Sequence, residues 1–428
     1  MSPFVPVIVA VGGLAALWMA IRRPLWLFYF LIFVLLEPSR YLSLSSISLG
    51  SFSIKGYEIF LPLIYFAAYK HRKRALKDCV PIFMVLFFLM TIVSLLNGLK
   101  SGYGAGAFNY FRPYASMWIA VAIPLFFKTS DETDGLMRFF AIWATIFIVV
   151  EMVALQTGLG YSFVYSPIRA SYSSLLSDTS CSNMAFIFIY LFSMFDLEMK
   201  HAFLYLVLIG FSFICTIMSS ARAVWLGMLV SIAGFFALGR VRSKIYLTFF
   251  SILGIIALFF LGSLYIARYD MTLAERLPTI FSSKEGTGHW RIMAWQQTLE
   301  DIKAHPLIGW PMGNEPLFYV ESSGIFCTNA THNEFLKIAR YTGLTGLFFF
   351  LCLTIQTLIN SFRYIVTNSG QDQRKMLALF LCIVYILVTS TFSQRITSID
   401  ICPFIWAIFG LVYLRLIEEK ERKGGQAQ

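Results

Sequence analysis

The chain has 428 residues, of which 58% are hydrophobic and only 13% are charged, and its mean hydropathy is +0.72. Soluble domains carry about 25% charged residues, so this composition excludes an ordinary soluble domain and predicts an integral membrane protein. The formal net charge of +11 does not indicate a nucleic-acid partner, because the basic residues cluster beside apolar runs, as they do on the cytoplasmic side of membrane spans.

The apolar segments predict membrane-spanning helices, because a backbone in lipid must satisfy its own hydrogen bonds and these runs lack the alternation of barrel strands. We place the spans at 4–21, 25–36, 57–69, 80–96, 113–127, 139–156, 184–197, 202–219, 223–239, 245–266, 334–360, 377–392 and 402–416. The first segment has neither a basic start nor a small-residue cleavage site, so we interpret it as a retained span. The short segment 25–36 leaves the number of spans at twelve or thirteen.

Charge in the connectors predicts the topology. The basic connectors are 22–23, 70–77, 240–244, 363–375 and 415–423, which all fall on one side if the spans alternate, and that side is the cytoplasm. The opposite side then holds the segments 37–56, 97–112, 157–183, 268–332 and 393–401. The predicted organisation is a helix bundle of about ten spans over 1–267, a periplasmic loop over 268–332, further spans over 333–417 and a cytoplasmic tail over 418–428.

The long loop 268–332 is predicted to contain an amphipathic helix over 288–303. Its apolar stripe at helical spacing is formed by Ile292, Trp295, Leu299 and Ile302. Glu300, Asp301 and Lys303 lie off this stripe. Such a helix is expected to lie at the membrane interface with its tryptophans as anchors, and the turn-rich segment 309–314 returns the chain. A loop of this length usually carries function, and the alternative is a simple cap over the bundle.

Three residues are candidates for chemistry. Arg222 lies among small residues at the external end of an apolar helix, where an ionisable group is costly and therefore tends to be functional; the alternative is snorkelling to the headgroups. Arg291 lies on the loop helix, where it could complete a phosphate clamp or belong to a solvated face. His332 lies where loop meets helix and can take a proton near neutral pH, or it can be a structural histidine bonded to loop carbonyls.

Neighbouring residues extend this set. Asn333 or Thr331 is expected to cap the helix after His332, and Gly343 and Gly346 are expected to allow close packing against a neighbouring helix. Arg340, two turns beyond Asn333, is expected to face the same cavity as His332 and Asn333. The other external candidates, each of which alone suggests a structural or headgroup-binding role, are Arg112, Arg169, His289 and Arg395.

Cysteines and acidic residues give no sign of a metal. The seven cysteines include no C-x-x-C pair, which disfavours a zinc or iron–sulfur site. Cys181 and Cys327 both fall in predicted external loops, where a disulfide is one interpretation and chance placement the other. The external loops contain no Asp-x-Asp motif, so a diphosphate group there would have to be neutralised by arginine.

Four features occur in an ordered series. They are Ser219-Ser-Ala-Arg222-Ala-Val-Trp225, Arg291 in the loop helix, the turn-rich segment 305–314, and His332-Asn333 followed by Gly343-Leu-Thr-Gly346. With this order and spacing, residues 205–360 resemble the O-antigen ligase and O-antigen polymerase superfamily of bacterial inner-membrane glycosyltransferases. Two departures are the thirteenth apparent span and Ala221, where the family often has serine.

The resemblance implies an all-α polytopic membrane protein with twelve to thirteen transmembrane helices of the GT-C-like type and a large periplasmic loop containing the interfacial helix. It implies transfer of an undecaprenyl-diphosphate-linked glycan to an acceptor sugar hydroxyl at the periplasmic face, with inversion and without metal or cofactor. It assigns the general base to His332 and the diphosphate to Arg222 and Arg291.

The acceptor is either another lipid-linked glycan, which would make the protein a polymerase, or lipid A–core, which would make it a ligase. The short segment between Gly313 and His332 favours the polymerase narrowly, since it offers little surface for a bulky core. A flippase or transporter is the competing hypothesis, and it would place its ionisable residues near the bilayer midplane. A structural scaffold is the third.

Overall fold

A computed structural model describes residues 17–36, 46–49, 52–157, 178–195, 202–218, 222–239, 287–315, 317–320, 325–328, 331–399 and 401–425. The predicted spans 4–21 and 245–266 therefore lie wholly or largely outside the described residues. So do the side chains of Arg222, His289, Cys181 and Cys327, and all of Arg169. Two compact units are formed. The first takes Met1–Val80, Ala115–Asn183 and Cys402–Gln428, and the second takes Pro81–Tyr114 and Met184–Ile401.

In its described residues, the first unit is helical apart from one hairpin. Its elements are α1 (Pro24–Leu36), the antiparallel strands β1 (Ser46–Leu49) and β2 (Phe52–Lys55), α2 (Gly56–Lys70), α3 (Leu76–Cys79), α6 (Ile119–Phe126), α7 (Asp134–Thr157) and α14 (Cys402–Gly425). Helix α14 packs closely on α6, where a Cβ on Gly410 would lie 3.0 Å from Ile123. Residues 418–425, expected as a tail, continue α14.

A buried arginine, Arg74, joins α14 to the end of α6 in the first unit. The Arg74 guanidinium donates to both carboxylate oxygens of Glu421, at 2.7 and 2.8 Å. It also donates to the carbonyl oxygens of Pro124, Phe127 and Lys128 at the end of α6. A cation at a helix C-terminus satisfies carbonyls that have no helical partner. The Arg74 guanidinium in turn lowers the pKa of the Glu421 carboxyl.

The second unit contains most of the predicted external loop and the helices that carry it. Its elements are α4 (Ile82–Lys100), α5 (Gly104–Ala115), α9 (Ala202–Met218), α10 (Arg222–Leu238), α11 (Thr287–Ala304), the antiparallel strands β3 (Leu317–Val320) and β4 (Ile325–Thr328), α12 (Glu334–Thr367) and α13 (Gly370–Ser390). Helix α8 (Asp178–Met194) begins in the first unit and ends in the second. Helix α12 packs on α4, α11 and α13.

In the part of the chain that the structure describes, four helices are long and apolar enough to cross a membrane, namely Ile82–Lys100, Ser130–Val150, Glu334–Thr367 and Gly370–Ser390. Five shorter apolar helices accompany them among the described residues, namely Pro24–Leu36, Phe60–Lys70, Ser182–Met194, Phe203–Thr216 and Ala223–Leu238. The chain is therefore a polytopic α-helical membrane protein, as its composition predicts. The total of twelve or thirteen spans remains a prediction.

The predicted span 113–127 differs from a single helix. It consists of the end of α5, a 3₁₀ turn over Ser116–Trp118, and α6. Pro113 lies inside α5 and Pro124 inside α6, and proline weakens the regular ladder of a helix because it lacks an N–H. The segment is apolar enough to be read as one span, but the structure divides it into three pieces.

Helix α12 is broken at Gly343, whose φ of 70° and ψ of 175° are not helical. After the break, large apolar side chains at helical spacing are exposed. This α12 stripe is formed by Leu344, Phe348, Leu351, Ile355, Ile359, Phe362 and Val366. Most residues before the break, from Glu334 to Thr342, are instead buried in the protein. The lipid-facing part of α12 therefore begins at Leu344.

Candidate functional site

His332 lies in a strained turn at the start of α12. Its φ of 44° is in the left-handed region. Among the described residues, only His332 and several glycines have a positive φ. This conformation costs roughly 1–2 kcal/mol for an ordinary residue, so its surroundings must hold it. The Asn333 side chain caps the helix by accepting from the Leu336 N–H at 3.1 Å. Of the two predicted caps, the structure thus confirms Asn333.

The loop helix is joined to this turn. The Trp295 indole N–H donates to the carbonyl oxygen of Thr331 at 2.7 Å, next to His332. Arg291 lies one turn before Trp295 on the same helix and is half-buried. The structure therefore brings the helix that carries Arg291 against the turn that carries His332. Trp295, predicted to be an interface anchor, uses its N–H inside the protein.

The predicted extent of the loop helix, 288–303, agrees with α11. Of the predicted apolar stripe, Ile292 and Leu299 are exposed, as residues facing the membrane interface are expected to be, whereas Ile302 is buried. A second face, formed by Ala294, Thr298 and Asp301, packs inside the protein, which the stripe did not indicate. The acidic residue can lie inside because an ion pair offsets the cost of burying its charge.

That ion pair joins α11 to α12. The Arg340 Nε donates to Asp301 Oδ2 at 2.6 Å, and the side chains are 2% and 11% exposed. Gln297 donates to the other Asp301 oxygen at 3.1 Å. The Arg340 Nη1 donates to the carbonyl oxygen of Asn314 at 2.6 Å. Arg340, predicted to face a substrate cavity, thus has two of its donors engaged within the fold.

The segment 305–314, called the strap below, inserts into the break of α12. In an unbroken helix the Leu344 N–H would donate to the Arg340 carbonyl. Here the Leu344 N–H donates to the Pro306 carbonyl at 2.7 Å, and the Arg340 carbonyl accepts from the Trp310 N–H at 2.6 Å. The strap therefore replaces one helical hydrogen bond with two of its own.

Glycines make this insertion possible. A Cβ on Gly309 would lie 2.6 Å from the Arg340 carbonyl oxygen, and a Cβ on Gly343 would collide with the Leu307 carbonyl. Gly309 and Gly343 also have φ of 81° and 70°, which a side chain rarely adopts. Gly343 was predicted to approach a helix, but it approaches the strap. Gly346 does face a helix, since a Cβ at that position would lie 3.4 Å from the Cβ of Met90 on α4.

The far end of the strap is fixed on α4 and α5. The Met312 N–H donates to the Ser94 carbonyl at 3.4 Å, and a Cβ on Gly313 would lie 2.7 Å from the Ala107 nitrogen. The Asn314 carbonyl accepts a second bond from the Tyr341 hydroxyl at 2.9 Å. The motif from His305 to Asn314 is therefore a clamp between three helices.

The start of α10, at Arg222, lies at the same end of the second unit as the start of α12. Helix α10 runs antiparallel to α13, because Gly227 meets Thr389 while Ser231 donates to the Leu381 carbonyl at 3.2 Å. The segment after α13 then reaches the first turns of α12. There Lys337 Nζ donates to Gln394 Oε1 at 3.2 Å.

Beside His332 lies a buried carboxylate that the sequence analysis did not single out. Glu334 is fully buried in the first turn of α12, with Lys337, Thr397 and the backbone of Arg395 as its polar surroundings. Acidic residues favour a helix N-terminus, which was the available sequence signal. Asp301 was likewise missed as a buried residue.

The remaining candidates have local roles in the described residues. Arg112 donates to Asn109 Oδ1 at 2.8 Å within α5, and Arg395 is buried. Nearby, the Tyr110 hydroxyl donates to Glu315 at 3.2 Å, and burial together with the Glu315 charge raises the pKa of Tyr110 to about 12. The adjacent carboxylates of the loop helix both have cationic partners, since Glu300 binds Lys303 as Asp301 binds Arg340.

The chain was compared with known proteins and protein families. No curated protein matches the chain. A family model described as O-antigen ligase matches residues 205–351, about a third of the chain. The matched segment contains α10 with Arg222, α11 with Arg291, the strap, the His332 turn and the break at Gly343. The resemblance expected from the ordered motifs is therefore confirmed over residues 205–351, which match the O-antigen ligase family.

Proposed function

We propose that the protein is a metal-independent inverting glycosyltransferase that transfers an undecaprenyl-diphosphate-linked glycan to an acceptor sugar hydroxyl at the periplasmic face of the inner membrane. The coarser statement, an activity of the O-antigen ligase and polymerase type, rests on the family match over 205–351. The observation that supports the finer proposal is the bond from Trp295 to the Thr331 carbonyl, which holds the Arg291 helix against His332.

His332 is the proposed general base. It takes the proton of the acceptor hydroxyl as that oxygen attacks the anomeric carbon from the side opposite the diphosphate, which gives inversion. The anomeric C–O bond breaks, its electron pair leaves with undecaprenyl diphosphate, and His332 later releases the proton to water. Histidine suits this role because its ordinary pKa lies near the working pH. Its left-handed backbone is a strained conformation of the kind that clusters at functional sites.

Arg222 and Arg291 are the proposed diphosphate ligands. A guanidinium keeps its charge and can donate two parallel hydrogen bonds to phosphate oxygens, so two arginines can stabilise the charge that develops on the leaving group. Each such contact, oriented before reaction, contributes roughly 10² or more in rate. The accessory candidates Arg340, Asn333 and His289 act, in this proposal, through the positions of α11 and α12, and Arg112 acts from α5.

The acceptor in this proposal is a second lipid-linked glycan, which makes the protein a polymerase. In the described part of the segment between the strap and His332, the structured element is one short hairpin, β3 with β4. That hairpin offers little surface for lipid A–core, which is the acceptor of the alternative ligase reaction.

Purified protein supplied with a lipid-linked repeat unit alone tests the acceptor. A ladder of longer lipid-linked products supports the polymerase, whereas product that forms only after addition of lipid A–core supports the ligase. Activity should also persist in EDTA. Loss in EDTA that Mg²⁺ restores would overturn metal independence.

Variants of His332 test the base. We expect His332→Ala and Arg222→Ala to abolish transfer while the protein still inserts in the membrane and unfolds at the normal temperature. His332→Gly is the matched control, because glycine adopts a φ of 44° without strain and relieves any purely structural cost. Transfer at the normal rate by His332→Gly would show that the imidazole is not the base.

A further inference from the structure

The loop helix α11 has three distinct faces. Ala294, Thr298 and Asp301 pack inward. Of the exposed residues, Ile292 and Leu299 are seven apart and so lie on one side of the helix, two turns from each other. A polar exposed face adjoins them and is formed by Gln296 and Glu300. A helix that packs on protein and still shows one apolar and one polar flank is suited to the boundary between lipid and water.

The strap exposes the next apolar pair. Leu307 is 69% exposed and Ile308 is 51% exposed, although both belong to a segment that is clamped at its two ends. Exposed neighbouring leucine and isoleucine side chains in a rigid turn are costly in water, since each loses the stabilisation of burial. The turn Leu307–Ile308 therefore requires an apolar environment outside the protein.

The position of this turn identifies that environment. The Pro306 carbonyl is bonded to the Leu344 N–H, and the Leu307 carbonyl contacts Gly343. Leu344 is the first residue of the α12 stripe, which continues through Phe348 along the lipid-facing side of α12. The turn is thus attached by its backbone to the point where the lipid-facing surface begins.

We infer that the turn Leu307–Ile308, together with the flank formed by Ile292 and Leu299, inserts among the phospholipid acyl chains and extends the α12 stripe into the loop. The anchor is thus the aliphatic turn of the strap, and not Trp295, whose N–H is bonded to Thr331. Because the strap also fills the break of α12 and binds Arg340, the bilayer supports the same segment that positions the start of α12. This inference does not depend on the proposed transfer reaction.

A photo-crosslinking amino acid placed singly at 307, 308, 348 or 300 tests it in the full-length protein in phospholipid vesicles. The position 348 is the lipid control, and 300 on the polar flank of α11 is the aqueous control. After irradiation, intact-mass analysis is expected to show the mass of one phospholipid added at 307, 308 and 348, and no lipid adduct at 300.

Two results would overturn the inference. One is the absence of lipid adducts at 307 and 308 while 348 is labelled, because the turn would then lie in water. The other is a crosslink from 307 or 308 to a second copy of the chain, which would make the turn a protein interface. Neither result bears on glycan transfer, so this inference and the proposed function fail separately.

Discussion

The buried pair Asp301–Arg340 is expected to hold the loop helix on α12, and replacing Arg340 by alanine tests this. The Asp301 side chain is 11% exposed in the structure, and the variant leaves its carboxylate without a cation, although Gln297 still donates to it. It also removes the Arg340 bond to the Asn314 carbonyl and the contacts of the guanidinium with the rings of Trp310 and Tyr341. Breaking a buried pair from one side costs about 3–5 kcal/mol, mostly because one charge stays buried.

The magnitude has a matched control on the same helix. Lys303 and Glu300 form an ion pair of the same 2.6 Å length, but their side chains are 71% and 65% exposed. Exposed pairs of this kind contribute about 0.5 kcal/mol or less, so Lys303→Ala should leave stability nearly unchanged. Thermal unfolding of the purified protein in detergent and protease cleavage within 268–332 measure both variants under the same conditions.

The double variant Arg340→Met with Asp301→Leu separates structure from chemistry. Replacing both partners by apolar side chains is often close to neutral, so we expect it to recover most of the lost stability. If Arg340 only supports the fold, glycan transfer should return with it. Two results would refute the reasoning: an Arg340→Ala variant as stable as Lys303→Ala, or a double variant whose loss equals the sum of the single losses.

Two further predictions follow from the backbone of α12 and from the first unit. Gly343→Ala should destabilise the protein and reduce transfer, because a Cβ there collides with the strap at a φ of 70°, whereas Gly210→Ala, with open space around it and a helical backbone, should be neutral or slightly stabilising in the same unfolding assay. Because Arg74 lowers the pKa of Glu421, that contact stabilises the fold above the ordinary carboxyl pKa of about 4.3, and the contribution is lost as pH falls through the lowered value. Arg74→Met should therefore lose less stability than the wild type between about pH 5 and pH 3, and equal losses in the two unfolding curves would contradict the role of the pair.

The sequence predicted those features that depend on local patterns. The start of α12 could be found because Asn333 is a good capping residue ahead of an apolar run, and the loop helix because apolar residues recur at helical spacing. The glycines of the strap were predicted to form turns, and Gly343 and Gly346 were predicted to allow close approach. What they approach could not be predicted, since the contact between the strap and α12 joins residues far apart in the chain.

Charged residues were harder to place for a different reason. Arg74 belongs to a cluster that predicts a cytoplasmic connector, but a charge count cannot show that its guanidinium is buried and bonded to the end of α6. Asp301 was predicted only to lie off the apolar stripe of the loop helix, because a hydropathy pattern cannot show that a carboxylate is buried. Its burial depends on Arg340, which lies 39 positions away. A pattern within one helix contains no information about such a partner.

The break at Gly343 explains why the position of the candidate site residues is fixed by the loop more than by the membrane span. Unbroken, α12 would be one membrane helix, and His332 would take its position from the bundle alone. With the strap inserted, the buried turns from Glu334 to Thr342 are bonded to the loop at both ends, through Thr331 to Trp295 and through Arg340 to Trp310 and Asp301. The position of His332 therefore depends on the loop helix that carries Arg291, so a change that undocks this helix should move the proposed base and one proposed diphosphate ligand together. That coupling is the physical reason to expect that a variant in the strap reduces transfer.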